Sequence, residues 1–137
     1  MRLVFPCFLT ALLTFLLVMS LVVNVSDSAA PAGIYRVLWD VKMERGDLVL
    51  MREPLKKVVG LPGDIVRFAR EGVYLNHQLL PNSAVPTDSP YPPYPYQTIV
   101  LAKGQYLLMG ANPLSFDGRY EGVTPEELVY QKVQKLW

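Results

Sequence analysis

Two hydroxyl groups stand close together in the segment NVSDSAAPAGIY, where Ser26 and Ser28 flank Asp27. A serine hydroxyl becomes a good nucleophile when a neighbouring base removes its proton. The chain has one His and one Cys, which excludes a disulfide framework and a zinc site built from Cys and His ligands. A Ser-His-Asp triad would depend on His77, which lies in LNHQLL without an acidic neighbour and is predicted in a hairpin turn. The composition therefore favours a base other than histidine.

Two adjacent amines open the segment LKKVVGLPGD, which reads as an apolar strand followed by a glycine-rich turn. Successive side chains of a strand point to opposite faces, so one of Lys56 and Lys57 should face inward while the other reaches solvent. Burial disfavours the ammonium form and lowers the pKa of a lysine, and a neutral amine can accept a proton from a serine hydroxyl. The alternative is that both amines lie at the surface of an edge strand.

A third polar cluster lies in MGANPLSFDGRYEG, where Ser115, Asp117 and Arg119 occupy alternate positions. All three would share one face if this segment is extended. Asp117 and Arg119 would then form an ion pair that fixes the loop, and Ser115 would hydrogen-bond toward a neighbouring lysine. The alternative is a glycine-containing turn with a surface ion pair of little energetic weight.

The elements that must position these groups are predicted to be strands. Gly and Pro residues separate short apolar runs over residues 24–137, which is typical of an all-β domain. The candidate strands are Ile34–Leu38, Leu48–Met51, Lys56–Gly60, Ile65–Ala69, Val73–Leu75, Thr98–Leu101 and Tyr106–Met109. Five prolines in NSAVPTDSPYPPYPY, which lies between Leu80 and Gln97, predict a surface loop, because proline cannot donate to a central sheet ladder. The last segment, TPEELVYQKVQKLW, fits either a helix or a strand.

The residues before this domain form an uncharged apolar run from Leu3 to Val23. As a helix it would be about 31 Å long, which matches a hydrocarbon core of about 30 Å and predicts a transmembrane anchor over residues 1–23. A cleaved signal peptide ending at Ser26-Asp27-Ser28 is the alternative. Arg2 before the run favours a cytoplasmic N-terminus and an extracytoplasmic domain. Beyond the run the 12 remaining basic residues equal the 12 acidic ones, so no basic surface for nucleic acid is expected.

The apolar run, SDS, PAGIY, KKVVGLPGD and SFDGRYEG occur in an order that resembles type I signal peptidases. The resemblance is greatest to the short, single-span TraF-type peptidases of conjugative transfer, and it covers nearly the whole chain. It implies a signal-peptidase-like β-domain behind one transmembrane helix. It also implies a serine nucleophile and a lysine base, which agrees with the argument against histidine.

The resemblance assigns roles to residues of this chain. Ser28 corresponds to the nucleophile, and Lys56, the first of the two lysines before VVGLPGD, corresponds to the general base. Ser26 corresponds to the serine whose hydroxyl forms the oxyanion hole together with the backbone N–H of Ser28. A residue inserted before Pro31, relative to the transfer peptidases, keeps Ser26 open as the alternative nucleophile.

The supporting residues follow from the same resemblance. Ser115 corresponds to the residue that orients the lysine amine, and Asp117 with Arg119 corresponds to a structural ion pair behind the site. Gly33 and Tyr35, with the proline before them, shape the first turn and strand and take no part in the reaction. No cofactor or metal is expected.

The function implied is removal of signal or leader peptides from secreted or pilin-type precursors at the bacterial inner membrane, with the catalytic domain on the periplasmic side. The expected partners are membrane-inserted precursors and the lipid bilayer. A self-cleaving, repressor-like Ser/Lys protease would share the chemistry, but the apolar helix and the lack of a DNA-binding segment argue against it. An inactive scaffold of a conjugation or secretion assembly is the non-enzymatic alternative, since Ala29 and Ala111 depart from the family pattern.

Overall fold

The computed structural model describes residues 4–24, 30–39, 42–51, 55–129 and 131–137. Its first element is helix α1, Val4–Met19, which ends four residues before the apolar run does. Leu21–Asn24 forms strand β1 and pairs antiparallel with residues 33–36, so the helix predicted through Val23 is too long. The β-branched Val22 and Val23 favour the extended backbone, and the pairing satisfies the backbone groups that a longer helix would have used.

Apolar side chains of α1 are exposed, among them Phe8, Phe15 and Leu17. Within the described ranges, however, no helix combines the length and the apolar character needed to cross a membrane.

Antiparallel strands make up most of the remaining described chain, as the punctuated apolar runs predicted. The strands after β1 are β2 (Gly33–Leu38), β3 (Leu48–Leu50), β4 (Lys56–Gly60), β5 (Ile65–Ala69), β6 (Gly72–Leu75), β7 (Gln78–Leu79), β8 (Thr98–Val100), β9 (Gln105–Met109), β10 (Thr124–Pro125) and β11 (Gln131–Lys135). Helix α2, Gly118–Glu121, follows β9, and a 3-10 helix, Glu126–Leu128, follows β10. All seven predicted strands are present, with ends that agree to within one residue.

The C-terminal segment, which the sequence left open between helix and strand, divides into the 3-10 helix and the strand β11. Strand β11 lies between β2 and β3, and Val133 pairs with Val37 on one side and Leu48 on the other. Burial of Val133 in this position explains why a strand is preferred over the helical alternative.

The described strands form two sheets. One has the order β1-β2-β11-β3-β4-β9-β10 and the other the order β7-β6-β5-β8. Strand β9 is buried on both faces: Leu107 packs in a cluster with Val66 and Phe68 of the second sheet, while Leu108 packs with Val49 on the opposite side. This strand therefore joins the two sheets, and the loop that follows it begins from a fixed position.

Two turns follow the sequence closely. Asn76 and His77 have positive φ angles between β6 and β7, which is typical of a two-residue hairpin, and His77 is exposed there. Residues 80–97 contain no helix or strand, as the prolines predicted. Their path is nevertheless held by hydrogen bonds to the rest of the domain; among them, the Tyr94 N–H donates to the Arg119 carbonyl and the Phe68 N–H donates to the Gln97 carbonyl.

The turn GLPGD is held by Asp64. Its carboxylate accepts hydrogen bonds from the Leu61 N–H at 2.8 Å and the Asn76 amide at 2.8 Å, and it forms an ion pair with Arg45 at 2.8 Å. Partial burial alone would raise the pKa of Asp64, but these hydrogen bonds and the Arg45 charge outweigh burial and hold the pKa below its ordinary value. The motif therefore has a structural explanation that does not need catalysis.

Replacing Asp64 by asparagine is expected to lower the free energy of unfolding by about 1–2 kcal/mol at pH 7. A depressed folded-state pKa contributes stability above the unfolded-state value of about 4, and that stability is lost as the pH falls through the folded-state pKa. The difference between wild type and Asp64→Asn should consequently shrink in denaturant titrations below about pH 4. Glu127→Gln, at an exposed position, is the control, and a constant Asp64→Asn difference from pH 7 to pH 2 would contradict the assignment.

Candidate active site

The segment that carries Ser26 and Ser28 lies outside the described residues, but both of its ends are described. At its start the Asn24 side chain is buried and donates hydrogen bonds to the carbonyls of Ala30 at 2.9 Å and Pro31 at 3.1 Å. The Tyr35 hydroxyl also donates to the Pro31 carbonyl, at 2.6 Å. Strand pairing places Asn24 opposite Gly33, so residues 25–29 connect two points that are held close together.

Lys56 opens strand β4 and points inward, with 5% of its surface exposed, whereas Lys57 is exposed. This is the alternation that the strand periodicity predicted. Strand β4 pairs with β9, where Lys57 lies opposite Met109, so the loop that follows Met109 passes beside Lys56. The Lys56 Nζ donates a hydrogen bond of 2.5 Å to the Phe116 carbonyl in that loop.

Ser115 precedes this carbonyl directly and is 4% exposed. Its backbone N–H donates to the Asn112 carbonyl at 3.0 Å, which closes a turn. Residues 110–117 contain a turn and no strand, and α2 begins at Gly118, so the extended conformation considered for Ser115, Asp117 and Arg119 is wrong. All three side chains are nevertheless buried. The role of Ser115 in orienting the Lys56 amine stays a prediction.

Asp117 and Arg119 form a buried ion pair of 2.6 Å, with side-chain exposures of 0% and 1%. The surface pair considered from the sequence is therefore wrong. The guanidinium also donates to the carbonyls of Asn82, Asn112 and Pro113, so all five of its N–H groups have acceptors. Asp117 in turn caps α2 by accepting from the Arg119 backbone N–H at 3.0 Å. The pair thus ties the loop at Asn82 and the turn at residues 112–113 to the start of α2.

The glycine between these two residues has a packing reason. A Cβ at Gly118 would lie 2.7 Å from the Leu107 side chain and 2.8 Å from the Leu108 carbonyl. Only glycine lets the start of α2 approach β9 this closely, which explains the sequence SFDGR.

An open cleft lies between the loop of residues 110–117, called here the lysine loop because it accepts the hydrogen bond of Lys56, and the end of the serine segment, residues 25–29. Pro31 lines this cleft together with Ala111, Asn112 and Pro113. Pro31 follows Ser28 by three residues, and Pro113 precedes the carbonyl that accepts from Lys56 by three residues. The fold therefore brings the flank of the predicted nucleophile and the flank of the predicted base to the same side of the domain.

Sequence reasoning missed the polar groups that hold these loops. The sequence pattern places Asn24 at the boundary between the apolar run and the domain, and it gives Tyr35 no role beyond the first turn and strand. A buried asparagine directly before a Ser-rich segment is a recognisable signal for a side chain that bonds to backbone, since asparagine readily bonds to backbone groups a few residues away.

For the peptidase reaction predicted from the sequence, Asn24→Leu is expected to lower kcat at least about tenfold, with little change in KM, because the loop ends would no longer be fixed. The measurement is steady-state kinetics at a temperature where circular dichroism shows both proteins folded. Gln78→Leu, which removes an exposed amide from β7, should leave kcat within about twofold. Unchanged kcat in Asn24→Leu would mean that the loop position does not depend on this side chain.

Comparison with known proteins gives consistent likenesses. A sequence model described as signal peptidase, peptidase S26, matches residues 1–137. A probable signal peptidase I-2 of Synechocystis sp. is 33% identical over 85 residues, which are 61% of this chain and 38% of that protein. The plasmid transfer protein TraF of Escherichia coli is 38% identical over 73 residues, or 50% of this chain and 41% of that protein. A signal peptidase I from Enterococcus faecalis superposes with a TM-score of 0.46 at 22% identity, covering 68% of this chain and 97% of that chain. The chain spans about two fifths of the length of these two curated relatives.

Proposed function

The chain belongs to the signal peptidase, peptidase S26, family, and from this membership we propose that it is a serine endopeptidase that removes signal or leader peptides from precursor proteins. The observation that carries the proposal is the placement of Lys56. Its side chain is buried in strand β4, and its amine donates to the Phe116 carbonyl in the loop that lines one cleft with the flank of the serine segment. Burial disfavours the ammonium form, so the position suits a base.

The proposed reaction has two halves. In the first, the neutral Lys56 amine takes the proton of Ser28 Oγ while Oγ forms a bond to the carbonyl carbon of the scissile peptide. The oxyanion accepts hydrogen bonds from the Ser28 N–H and the Ser26 hydroxyl. Collapse breaks the C–N bond, and the lysine returns the proton to the departing amine. In the second half water adds to the ester carbonyl while the same lysine takes its proton. The ester C–O bond then breaks, and the lysine returns the proton to Ser28 Oγ, which restores the free enzyme.

The substrate is proposed to be a precursor that reaches the domain at a lipid surface. The exposed apolar side chains of α1 support contact with lipid, since large exposed apolar surfaces mark membrane or protein interaction sites. We assign the domain to the extracytoplasmic side of the bacterial inner membrane, following the position of Arg2. Likeness to a plasmid transfer protein supports a conjugation-system precursor such as a pilin.

The test is incubation of the purified full chain in detergent with candidate precursors, with product masses read by mass spectrometry. Two fragments whose masses add up to the mass of the precursor plus one water would support hydrolysis. A product whose mass does not include that water would show that the new end had been joined to another amine. Absence of any product with several precursors would favour the inactive scaffold.

A further inference from the structure

Three aromatic side chains beside the lysine loop form a groove, called here the aromatic groove: Tyr91, Phe116 and Tyr120. Phe116 and Tyr120 stack with ring centroids 5.1 Å apart, and Tyr91 meets Phe116 edge-on at 5.1 Å. Tyr91 also meets Tyr120 edge-on at 6.2 Å. The three rings enclose part of a cavity of about 260 Å³ that Leu114 and Asp88 also line. Phe116 and Tyr91 remain 40% and 55% exposed, so the ring surfaces are open to a ligand.

The wall that carries Asp88 is held in place before any ligand arrives. The Ser89 N–H donates to the Pro86 carbonyl at 3.1 Å, which closes a turn with Asp88 at its third position. The Ser89 hydroxyl donates to the Tyr120 hydroxyl at 3.2 Å and so connects this turn to α2. A site whose walls are already fixed loses less entropy on binding than one that must be ordered.

The position of the groove relates it to the proposed reaction centre. The Phe116 carbonyl accepts the hydrogen bond of Lys56, and the ring of the same residue forms one wall of the groove. The groove therefore adjoins the residue that accepts from the proposed base, and a substrate side chain close to the scissile bond is the one that would reach it.

The chemistry of the groove favours a cation. Among the described residues no basic group forms an ion pair with Asp88, although four ion pairs are formed elsewhere. Aromatic faces attract a cation, and a carboxylate at the rim adds a direct charge partner. A purely apolar ligand would contact the rings but would leave the Asp88 carboxylate without a charge partner. A lysine or arginine side chain can contact the rings with its methylene groups and the carboxylate with its charge.

We propose that the aromatic groove and Asp88 bind a lysine or arginine side chain of the polypeptide substrate close to its scissile bond. The proposal rests on the peptidase function proposed above and specifies one feature of its substrates. Recognition through an exposed carboxylate and aromatic rings should change kcat/KM by about three- to twentyfold, mostly through KM.

The test uses peptides in which lysine, norleucine or glutamate occupies each of the four positions on either side of the scissile bond. For the full chain we expect one position at which lysine exceeds norleucine in kcat/KM by the stated factor. The ratio of lysine to norleucine should fall toward one in Asp88→Asn, and Asp88→Lys should prefer glutamate at the same position. Glu127→Gln, an exposed carboxylate on the 3-10 helix, should keep the wild-type ratio.

Equal lysine preference in wild type and Asp88→Asn would overturn the proposal, as would equal cleavage of all three peptides by wild type. A loss of vesicle binding in Asp88→Asn with unchanged peptide selectivity would also overturn it and assign the groove to lipid headgroups. Failure of wild type to cleave any peptide is a different result, because it rejects the peptidase function itself. The two proposals are therefore distinguished by the same set of measurements.

Discussion

Ser28→Ala and Lys56→Ala should each reduce precursor cleavage by a factor on the order of 10⁴ or more, because each removes a group that the proposed bond-forming step requires. Ser26→Ala should reduce turnover by about 10² to 10³, the usual cost of losing one oxyanion donor. The measurement is single-turnover cleavage of a pre-protein by equal amounts of folded enzyme. This order of effects separates nucleophile and base from the oxyanion donor.

Strand β4 supplies a matched control for the base. Lys57 neighbours Lys56 in sequence but is exposed, so Lys57→Ala should retain activity within about twofold. Lys56→Arg should be inactive despite keeping a positive charge, because a guanidinium does not give up its proton in a protein. An active Lys56→Arg variant would show that position 56 contributes charge and not proton transfer.

The same series decides between the two serines. Full loss in Ser26→Ala with substantial activity in Ser28→Ala would make Ser26 the nucleophile and overturn the assignment made from the sequence pattern. Loss in Ser28→Ala together with full activity in Lys56→Ala would instead mean that another group is the base. Either result would leave the family membership intact while changing the mechanism.

The strands could be predicted because the residues within each strand and the turns beside it determine them. Apolar residues alternate or run between Gly and Pro, and Ile65–Ala69 has the bounds that its sequence predicts. The inward position of Lys56 follows from the same periodicity of two. The choice of strand for Gln131–Lys135 was not local, since it depends on Val133 entering a core formed by β2 and β3.

Two parts of the site could not be predicted for a related reason. The end of α1 at Met19 depends on pairing between Leu21–Asn24 and β2. The hydropathy of the apolar run gives no information about such pairing. The burial of the Asp117–Arg119 pair depends on carbonyls contributed by Asn82 and Pro113, which come from different turns. The spacing at alternate positions suggested that Asp117 and Arg119 lie close together. They do, but the cap of helix α2 brings them together and not an extended strand.

Arg119→Met should lower the free energy of unfolding by about 3–5 kcal/mol, because it leaves the buried Asp117 carboxylate without its counter-charge and removes the donors to three carbonyls. The thermal unfolding midpoint should fall by about 10 °C or more. Differential scanning calorimetry and urea titration measure both quantities. Glu71→Gln is the control, since its partner Arg67 lies 3.7 Å away at the surface, and its midpoint should match wild type.

The double variant Asp117→Asn/Arg119→Met distinguishes the charge from the hydrogen bonds. If the uncompensated carboxylate causes most of the loss, neutralising it should restore about half of the lost free energy. If the unsatisfied carbonyls of Asn82, Asn112 and Pro113 dominate, the double variant should be no more stable than Arg119→Met. A single Arg119→Met variant within 1 kcal/mol of wild type would contradict both explanations, because it would mean that the turn before Ser115 keeps its form without the guanidinium.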